Sequence, residues 1–325
     1  MLTDHRPRVG VLDRLREEKI VAGIPDITPI TDAVSALVRT QYEANPYPRW
    51  NSLAYFDPID SAEQILREIA PNTPCLPSLP SAPRVLIAGC GTGRQPIQAA
   101  MTYRGASILA IDLSLASLAY AKSKAVALGI DAIEFGRADI LGLKRLSRRF
   151  DIIECSGVLH HMAEPEAGLR ALLAVLAPGG LLKIALYSAA ARSNINQLRR
   201  WITEQGFAAT LEGIRAFREK LSASGDPNAA AIVRSIDYCA TSAIRDLLFH
   251  AQEQQFTIPG LKRILADANL DFLGFLFRDP GVKTHYQNCY PIDVGCTDLD
   301  HWADFEAENP LTFESMYQFW CRGAD

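Results

Sequence analysis

Residues 84–94 read RVLIAGCGTGR and residues 107–112 read SILAID. The apolar run in each stretch is typical of a parallel strand that is covered on both faces. The first run leads into glycines at alternate positions, which allow a sharp turn and a close approach of the backbone to a ligand. The second run ends on Asp112. Strand, glycine turn, helix, strand and acid predict the nucleoside-binding half of a doubly wound α/β fold, with Asp112 placed for ribose hydroxyls.

The spacing of the glycines separates two classes of ligand. The dinucleotide pattern G-x-G-x-x-G needs a small residue at position 94, where this chain has Arg94. The G-x-G-x-G pattern from Gly89 to Gly93 resembles the glycine loop of class I S-adenosylmethionine-dependent methyltransferases. The resemblance implies a Rossmann-like sheet with S-adenosylmethionine as the cofactor. The family usually has an acid two residues before the first glycine, and Ile87 stands there instead.

The same resemblance implies which residues bind the cofactor. Asp139 follows a third predicted strand and matches the acid that accepts a hydrogen bond from the adenine amino group. Judged from the residues alone, a simple turn aspartate is an equally good interpretation. The implied cofactor-binding residues are Gly89, Cys90, Gly91, Gly93, Asp112, Leu113, Asp139, Ile140 and Ser156.

Residues 41–50, QYEANPYPRW, follow a helix that is predicted over residues 32–42. This segment resembles one that precedes the glycine loop in a branch of class I methyltransferases often attached to tetratricopeptide repeats, although we find no such repeat here. Its aromatic residues form either a lid over the methyl donor or a latch that packs the helix on the sheet. We expect Tyr42, Tyr47 and Arg49 to bind the acceptor, with Arg49 holding a carboxylate or a similar anion.

The fourth predicted strand ends in the run VLHHM at residues 158–162. Ligands of doubly wound sheets bind at the carboxyl ends of the strands, so both histidines are predicted near the reaction. Tyr187 ends a fifth strand, predicted over residues 181–186 after a turn at residues 177–180. The predicted catalytic residues are therefore His160, His161 and Tyr187, and a base is needed only if the acceptor loses a proton. No metal-ligand spacing is found.

The remaining chain divides into four predicted parts. Residues 1–80 form an N-terminal helical extension and lid segment, and residues 81–187 form the Rossmann-like core. Residues 188–256 are too long for an ordinary connection and are interpreted as an inserted helical cap. Residues 257–325 complete the sheet and end in an aromatic tail, which packs on the sheet or on a partner in a homodimer. Further helices are predicted at residues 61–70, 196–205, 211–222, 229–252 and 257–269.

Composition narrows the function further. The 325 residues carry a net charge of −4, and seven cysteines include no C-x-x-C pair. These values predict a cytoplasmic protein without a nucleic-acid or membrane partner. The leading interpretation is methyl transfer to a small polar metabolite, with a peptide or protein side chain as the rival acceptor. A nicotinamide-dependent oxidoreductase and a non-catalytic cofactor-binding module remain as alternatives.

Overall fold

The computed structural model describes residues 17, 19–50, 79–224 and 240–323. The predicted helix at residues 61–70 and the first part of that at 229–252 lie outside these ranges. The described strands form a seven-stranded sheet in the order β3-β2-β1-β4-β5-β7-β6. They are β1 Arg84–Ala88, β2 Ser107–Asp112, β3 Ile133–Arg137, β4 Phe150–Ser156, β5 Leu176–Tyr187, β6 Leu270–Phe275 and β7 Met316–Gly323.

Strands β1 to β5 pair in parallel, and β7 runs antiparallel to both β5 and β6. The chain order reverses between β1 and β4, which is where ligands bind in doubly wound sheets. The predicted fold class is confirmed. One boundary differs, because residues 177–180 belong to β5 rather than to a turn, and the register with β4 shifts between Phe150 and Ile152.

The helices cover both faces of the sheet and fill the insertion. They are α1 Ala33–Ala44, α2 Arg94–Thr102, α3 Leu115–Ala127, α4 Pro165–Leu173, α5 Ser193–Glu204, α6 Leu211–Ala223, α7 Thr241–Leu248, α8 Ile258–Asp267, α9 Gly281–Cys289 and α10 Leu299–Glu308. Short 3-10 helices span Ile140–Arg145 and Leu159–His161. The helix predicted to reach residue 252 ends at Leu248, and residues 251–255 are irregular.

Alternation along β1 shows how the core is built. Leu86 belongs to one buried cluster, whereas Val85 and Ile87 belong to the cluster on the opposite face. Helices α2 and α3 supply the second face, and α4, α8 and α10 supply the first. Because both faces are covered, the strands are apolar throughout, as their sequences predict.

The inserted helices have a small core of their own. Ile214 and Phe217 of α6 pack with Ile244 of α7 and Leu198 of α5. The predicted domain boundaries, however, stay predictions. In the aromatic tail, Tyr286 stacks on Trp302 with ring centroids 3.7 Å apart, and this tail joins the cluster on the first face of the sheet. No helix in the described ranges combines the length and apolar character needed to cross a bilayer.

Candidate active site

The glycine loop between β1 and α2 is held to the end of β2 by backbone hydrogen bonds. The amides of Gly89 and Cys90 both donate to the carbonyl of Ile111, at 2.9 Å each. Gly89 has a φ of 79°, and a Cβ atom there would lie 2.3 Å from Cγ2 of Val158. Glycine is therefore required at position 89 both by its backbone conformation and by the close approach of Val158.

Asp112 joins this loop to the turn that follows β2. Its Oδ2 accepts from the Gly91 amide at 2.8 Å, and its Oδ1 accepts from the Ser114 amide at 2.9 Å. Burial raises the pKa of Asp112, and these backbone donors oppose that rise. Each carboxylate oxygen can accept a second hydrogen bond, so the side chain keeps capacity for a ligand hydroxyl.

The segment at residues 41–50 packs directly on the glycine loop. Trp50 Nε1 donates to the Thr92 carbonyl at 3.0 Å, and the Tyr120 hydroxyl donates to the Trp50 carbonyl at 2.7 Å. The Glu43 carboxylate accepts from the first two backbone amides of α3, at 2.8 and 3.0 Å. These contacts agree with the interpretation of the segment as a latch. Tyr47, in the same segment, lines the cavity above the loop.

A cavity of about 450 Å³ runs along the carboxyl ends of the strands. One end, which we call the glycine-loop end, includes most of the predicted cofactor-binding residues: Gly89, Cys90, Gly91, Asp112, Leu113, Asp139, Ile140 and Ser156. The other end, which we call the histidine end, is lined by Tyr42, His161, Met162, Tyr187, Arg192, Asp246 and Leu247. The sheet thus brings together residues that are more than two hundred positions apart in the chain.

Three predicted site residues do not line this cavity. Gly93 instead packs α2 against α3, since a Cβ atom there would lie 2.4 Å from the Ala121 Cβ. His160 is fully buried behind the cavity wall, and its ring stacks on Tyr187 at 3.8 Å. Arg49 has a side chain that is 49% exposed and forms a 3.6 Å ion pair with Glu17. The structure therefore corrects the placement of all three residues.

His161 is the histidine that reaches the cavity. Its Nδ1 lies 2.7 Å from the Gln252 carbonyl, and because a carbonyl only accepts, Nδ1 carries the proton. The Nε2 atom then holds a lone pair. Burial, together with the neighbouring His160 and His250, lowers the pKa of His161 well below its ordinary value. At neutral pH this side chain is therefore an uncharged base.

A hydrogen-bonded chain that sequence reasoning missed lies beside His161. The His250 ring stacks on His161 at 3.6 Å, and its Nδ1 accepts from the Gln252 amide. The protonated Nε2 of His250 lies 3.3 Å from the Tyr42 hydroxyl, which donates to Asp246 at 2.6 Å. These bonds fix the position of Tyr42 at the histidine end.

A buried ion pair closes the same end. Arg192 and Glu253 each have side chains only 2% exposed, and Arg192 donates to both Glu253 oxygens. Arg199 adds a 2.7 Å contact to Glu253. The Arg192 guanidinium also lies 3.8 Å above the Tyr187 ring. Neither Arg192 nor Glu253 was among the residues that the sequence predicted for the site.

The polar segment at residues 250–255, HAQEQQ, attaches the insertion to the end of β4. The Gln254 amide donates to the His160 carbonyl at 2.7 Å, and its side chain donates to the Ala163 carbonyl at 2.7 Å. Gln255 and Asn196 exchange side-chain hydrogen bonds at 2.7 and 2.8 Å. Five polar residues among these six were the signal available in the sequence, because they break the apolar pattern of the helix that was predicted to reach residue 252.

Residues 85–180 match the family model described as a methyltransferase domain. Together with the sheet order and the glycine loop, this match identifies residues 85–180 as a methyltransferase domain. An uncharacterised protein of a Synechococcus strain is 32% identical over 285 residues, which are 79% of this chain and 62% of that protein. The ubiquinone biosynthesis O-methyltransferase of Pseudomonas entomophila is 33% identical over 98 residues, which are 30% of this chain and 41% of that enzyme.

Among solved structures, PKMT2 from Rickettsia typhi in complex with AdoHcy has a TM-score of 0.58 at 20% identity. That similarity covers 83% of this chain and 54% of the other. The chain thus spans 62%, 41% and 54% of these three relatives. The similarity to PKMT2 concerns the fold. The branch with tetratricopeptide repeats stays a prediction.

Proposed function

We propose that the protein transfers the methyl group of S-adenosylmethionine to a small polar acceptor. The observation that carries this proposal is that the glycine-loop end and the histidine end belong to one continuous cavity. Direct methyl transfer requires the donor and the acceptor to be aligned, and a shared cavity allows this alignment. When bound, the cofactor supplies an electrophilic methyl group on a positively charged sulfur.

The glycine-loop end fits this cofactor chemically. Asp112 and Asp139 line it as carboxylates, and carboxylates accept hydrogen bonds from donors such as ribose hydroxyls and an adenine amino group. Asp139 is only 3% exposed, and its Oδ1 accepts from the Leu141 amide at 3.0 Å, so its orientation is fixed. Asp112 would hold the ribose and Asp139 the adenine.

His161 is the proposed general base. It lines the cavity, its Nε2 holds the lone pair, and its lowered pKa keeps it uncharged at neutral pH. It can therefore take a proton from a hydroxyl acceptor as the bond to carbon forms, or from an ammonium acceptor before its nitrogen attacks the methyl group. A positioned base of this kind contributes a factor of about 10² to 10⁴ in rate. Tyr187 lines the same wall and supplies an aromatic face and a hydroxyl.

The histidine end suits a polar acceptor better than an anionic one. Arg49 lies outside the cavity, and the charge of Arg192 is balanced by Glu253. The aromatic side chains of Tyr42 and Tyr187 line the same end as the base. A volume of about 450 Å³ has to hold the donor as well, so little of the acceptor can enter. This supports a small metabolite, with a peptide side chain as the rival.

Calorimetric titration with S-adenosylhomocysteine and with NAD tests the donor first. We expect micromolar binding of the former and none of the latter, and the reverse result would overturn the proposal. Labelled methyl transfer into a cell extract, separated by size, then tests the acceptor. Label in the small-molecule fraction supports the proposal, and label only in protein supports the rival acceptor.

The base is tested with His161→Asn. We expect at least a hundredfold loss of transfer with unchanged S-adenosylhomocysteine binding. His285→Asn is the matched control, because His285 lies in α9, outside the cavity lining. Equal activity of the two variants would remove His161 from the mechanism.

A further inference from the structure

A buried carboxylate stands behind the glycine-loop end. Glu154 of β4 is 3% exposed and is paired in register with Ile87 of β1. It accepts from the Tyr103 hydroxyl at 2.5 Å and from Gln95 Nε2 at 2.7 Å, and it lies 3.4 Å from Lys183 Nζ. Burial alone would raise the pKa of Glu154, but Lys183, Tyr103 and Gln95 together hold it below the ordinary value. Glu154 is therefore ionised and only accepts hydrogen bonds.

This carboxylate determines the orientation of the Gln95 amide. Nε2 of Gln95 donates to Glu154 and, at 3.2 Å, to the Ser156 hydroxyl. Both amide hydrogens are then used, and flipping the amide would place two acceptors against each other. The Oε1 atom remains, without a hydrogen bond to any described residue. Gln95 lines the cavity, and Oε1 is the polar atom of its side chain that Glu154 and Ser156 do not engage.

The preceding residue offers the opposite chemistry. Arg94 also lines the cavity, and its exposed guanidinium forms no ion pair with another described residue. A guanidinium binds carboxylates with two parallel hydrogen bonds. Adjacent residues at the start of α2 thus present one cationic donor and one oriented acceptor.

We propose that Arg94 and Gln95 bind the amino-acid part of the methyl donor, and that Glu154 positions Gln95 for this contact. Arg94 takes the carboxylate, and the Gln95 oxygen takes the ammonium group. The acid that the chain lacks at Ile87 is in this way replaced by one on the adjacent strand, acting through Gln95. The inference rests on the proposed function, since it concerns the same donor.

Two probes separate this subsite from the rest of the donor site. S-adenosylhomocysteine contains the amino-acid part, whereas 5′-methylthioadenosine lacks it. For Gln95→Met and for Arg94→Met we expect calorimetric affinity for S-adenosylhomocysteine to fall about ten- to a hundredfold, as for lost hydrogen bonds to charged groups. Affinity for 5′-methylthioadenosine should stay within about twofold. Equal losses for both probes, or no loss for either, would overturn the subsite.

The positioning role is tested with Glu154→Gln. An amide at position 154 can donate to the Gln95 oxygen and turn its nitrogen toward the cavity. We expect about a tenfold loss for S-adenosylhomocysteine alone. Tyr103→Phe is the matched control, because it removes a different partner of Glu154 and leaves the contact with Gln95. Equal behaviour of the two variants contradicts the positioning role, whereas absence of S-adenosylhomocysteine binding to the unaltered protein refutes the proposed function instead.

Discussion

The two ends of the cavity are built in different ways. The glycine-loop end consists mainly of backbone amides and of carboxylates that end strands, as in the bonds from Gly91 and Ser114 to Asp112. The histidine end consists of side chains from distant segments, joined by the chain from His250 through Tyr42 to Asp246. Backbone groups are positioned by the sheet itself, whereas a side-chain network is stable only while each member keeps its partner.

This difference assigns different sensitivities to the two ends. Changes at the glycine-loop end should alter chiefly the binding of the donor. Changes at the histidine end should alter stability and transfer with little effect on donor binding. Four predictions test this division, beginning with the largest expected effect.

Arg192→Met leaves the buried Glu253 with Arg199 as its remaining cationic partner. Removing one partner of a buried ion pair costs about 3–5 kcal/mol, and the lower end applies here because Arg199 remains. Chemical denaturation measures the change, and S-adenosylhomocysteine affinity should not move. Arg148→Met is the control, since its pair with Glu134 is exposed and worth at most about 1 kcal/mol. Similar losses for both variants would show that the histidine end does not depend on its buried pair.

The buried histidines predict a loss of stability in mild acid. Burial lowers the pKa of His250 to about 4 and those of His160 and His161 well below the ordinary value. The unfolded chain then binds protons first, so this stability is full above pH 6.5 and is lost as the pH falls toward 4. For His250, with an ordinary pKa of 6.5, the loss amounts to roughly 3 kcal/mol.

Unfolding free energies measured between pH 7.5 and 4.5 check this prediction. Each histidine can lower the free energy of unfolding by at most about 1.4 kcal/mol per pH unit. His250→Asn should flatten the curve. Constant stability from about pH 6.5 to 5 would mean that the folded protein already accommodates charged histidines.

Asp112→Ala tests the other end. It removes the acceptor for two backbone amides and for the proposed ribose contact, so we expect donor affinity to fall by about 1–3 kcal/mol, or roughly five- to 150-fold. Titration with S-adenosylhomocysteine measures it. Asp131→Ala, an exposed change outside the cavity lining, should have no effect. Unchanged affinity in a folded Asp112 variant would contradict the assignment.

Arg49→Met should have the smallest effect. Its ion pair with Glu17 is largely exposed, and such pairs contribute about 0–1 kcal/mol. Because Arg49 lies outside the cavity, the Michaelis constant for an acceptor should be unchanged. Steady-state kinetics check this once an acceptor is known. A marked rise in the Michaelis constant for the acceptor would show that Arg49 contributes to acceptor binding.

The sequence by itself determined the fold and most of the glycine-loop end. About thirty residues contain the short apolar runs, the alternate glycines and the terminal acid that predict the fold. Because parallel strands end at one edge of the sheet, Asp112 and Asp139 are then expected there, and both line the cavity. Such features depend on local conformation and on period, which the residues themselves display.

Only the tertiary structure decided the histidine end. The two adjacent histidines occupy different environments. In the 3-10 helix at Leu159–His161, His160 is buried, whereas His161 lines the cavity. Arg192 and Glu253 are 61 positions apart, and neither shows in the sequence that it will lose its exposure to water. The packing of the insertion on the sheet determines which distant residues become partners. That packing has no local sequence period or motif from which it could be predicted.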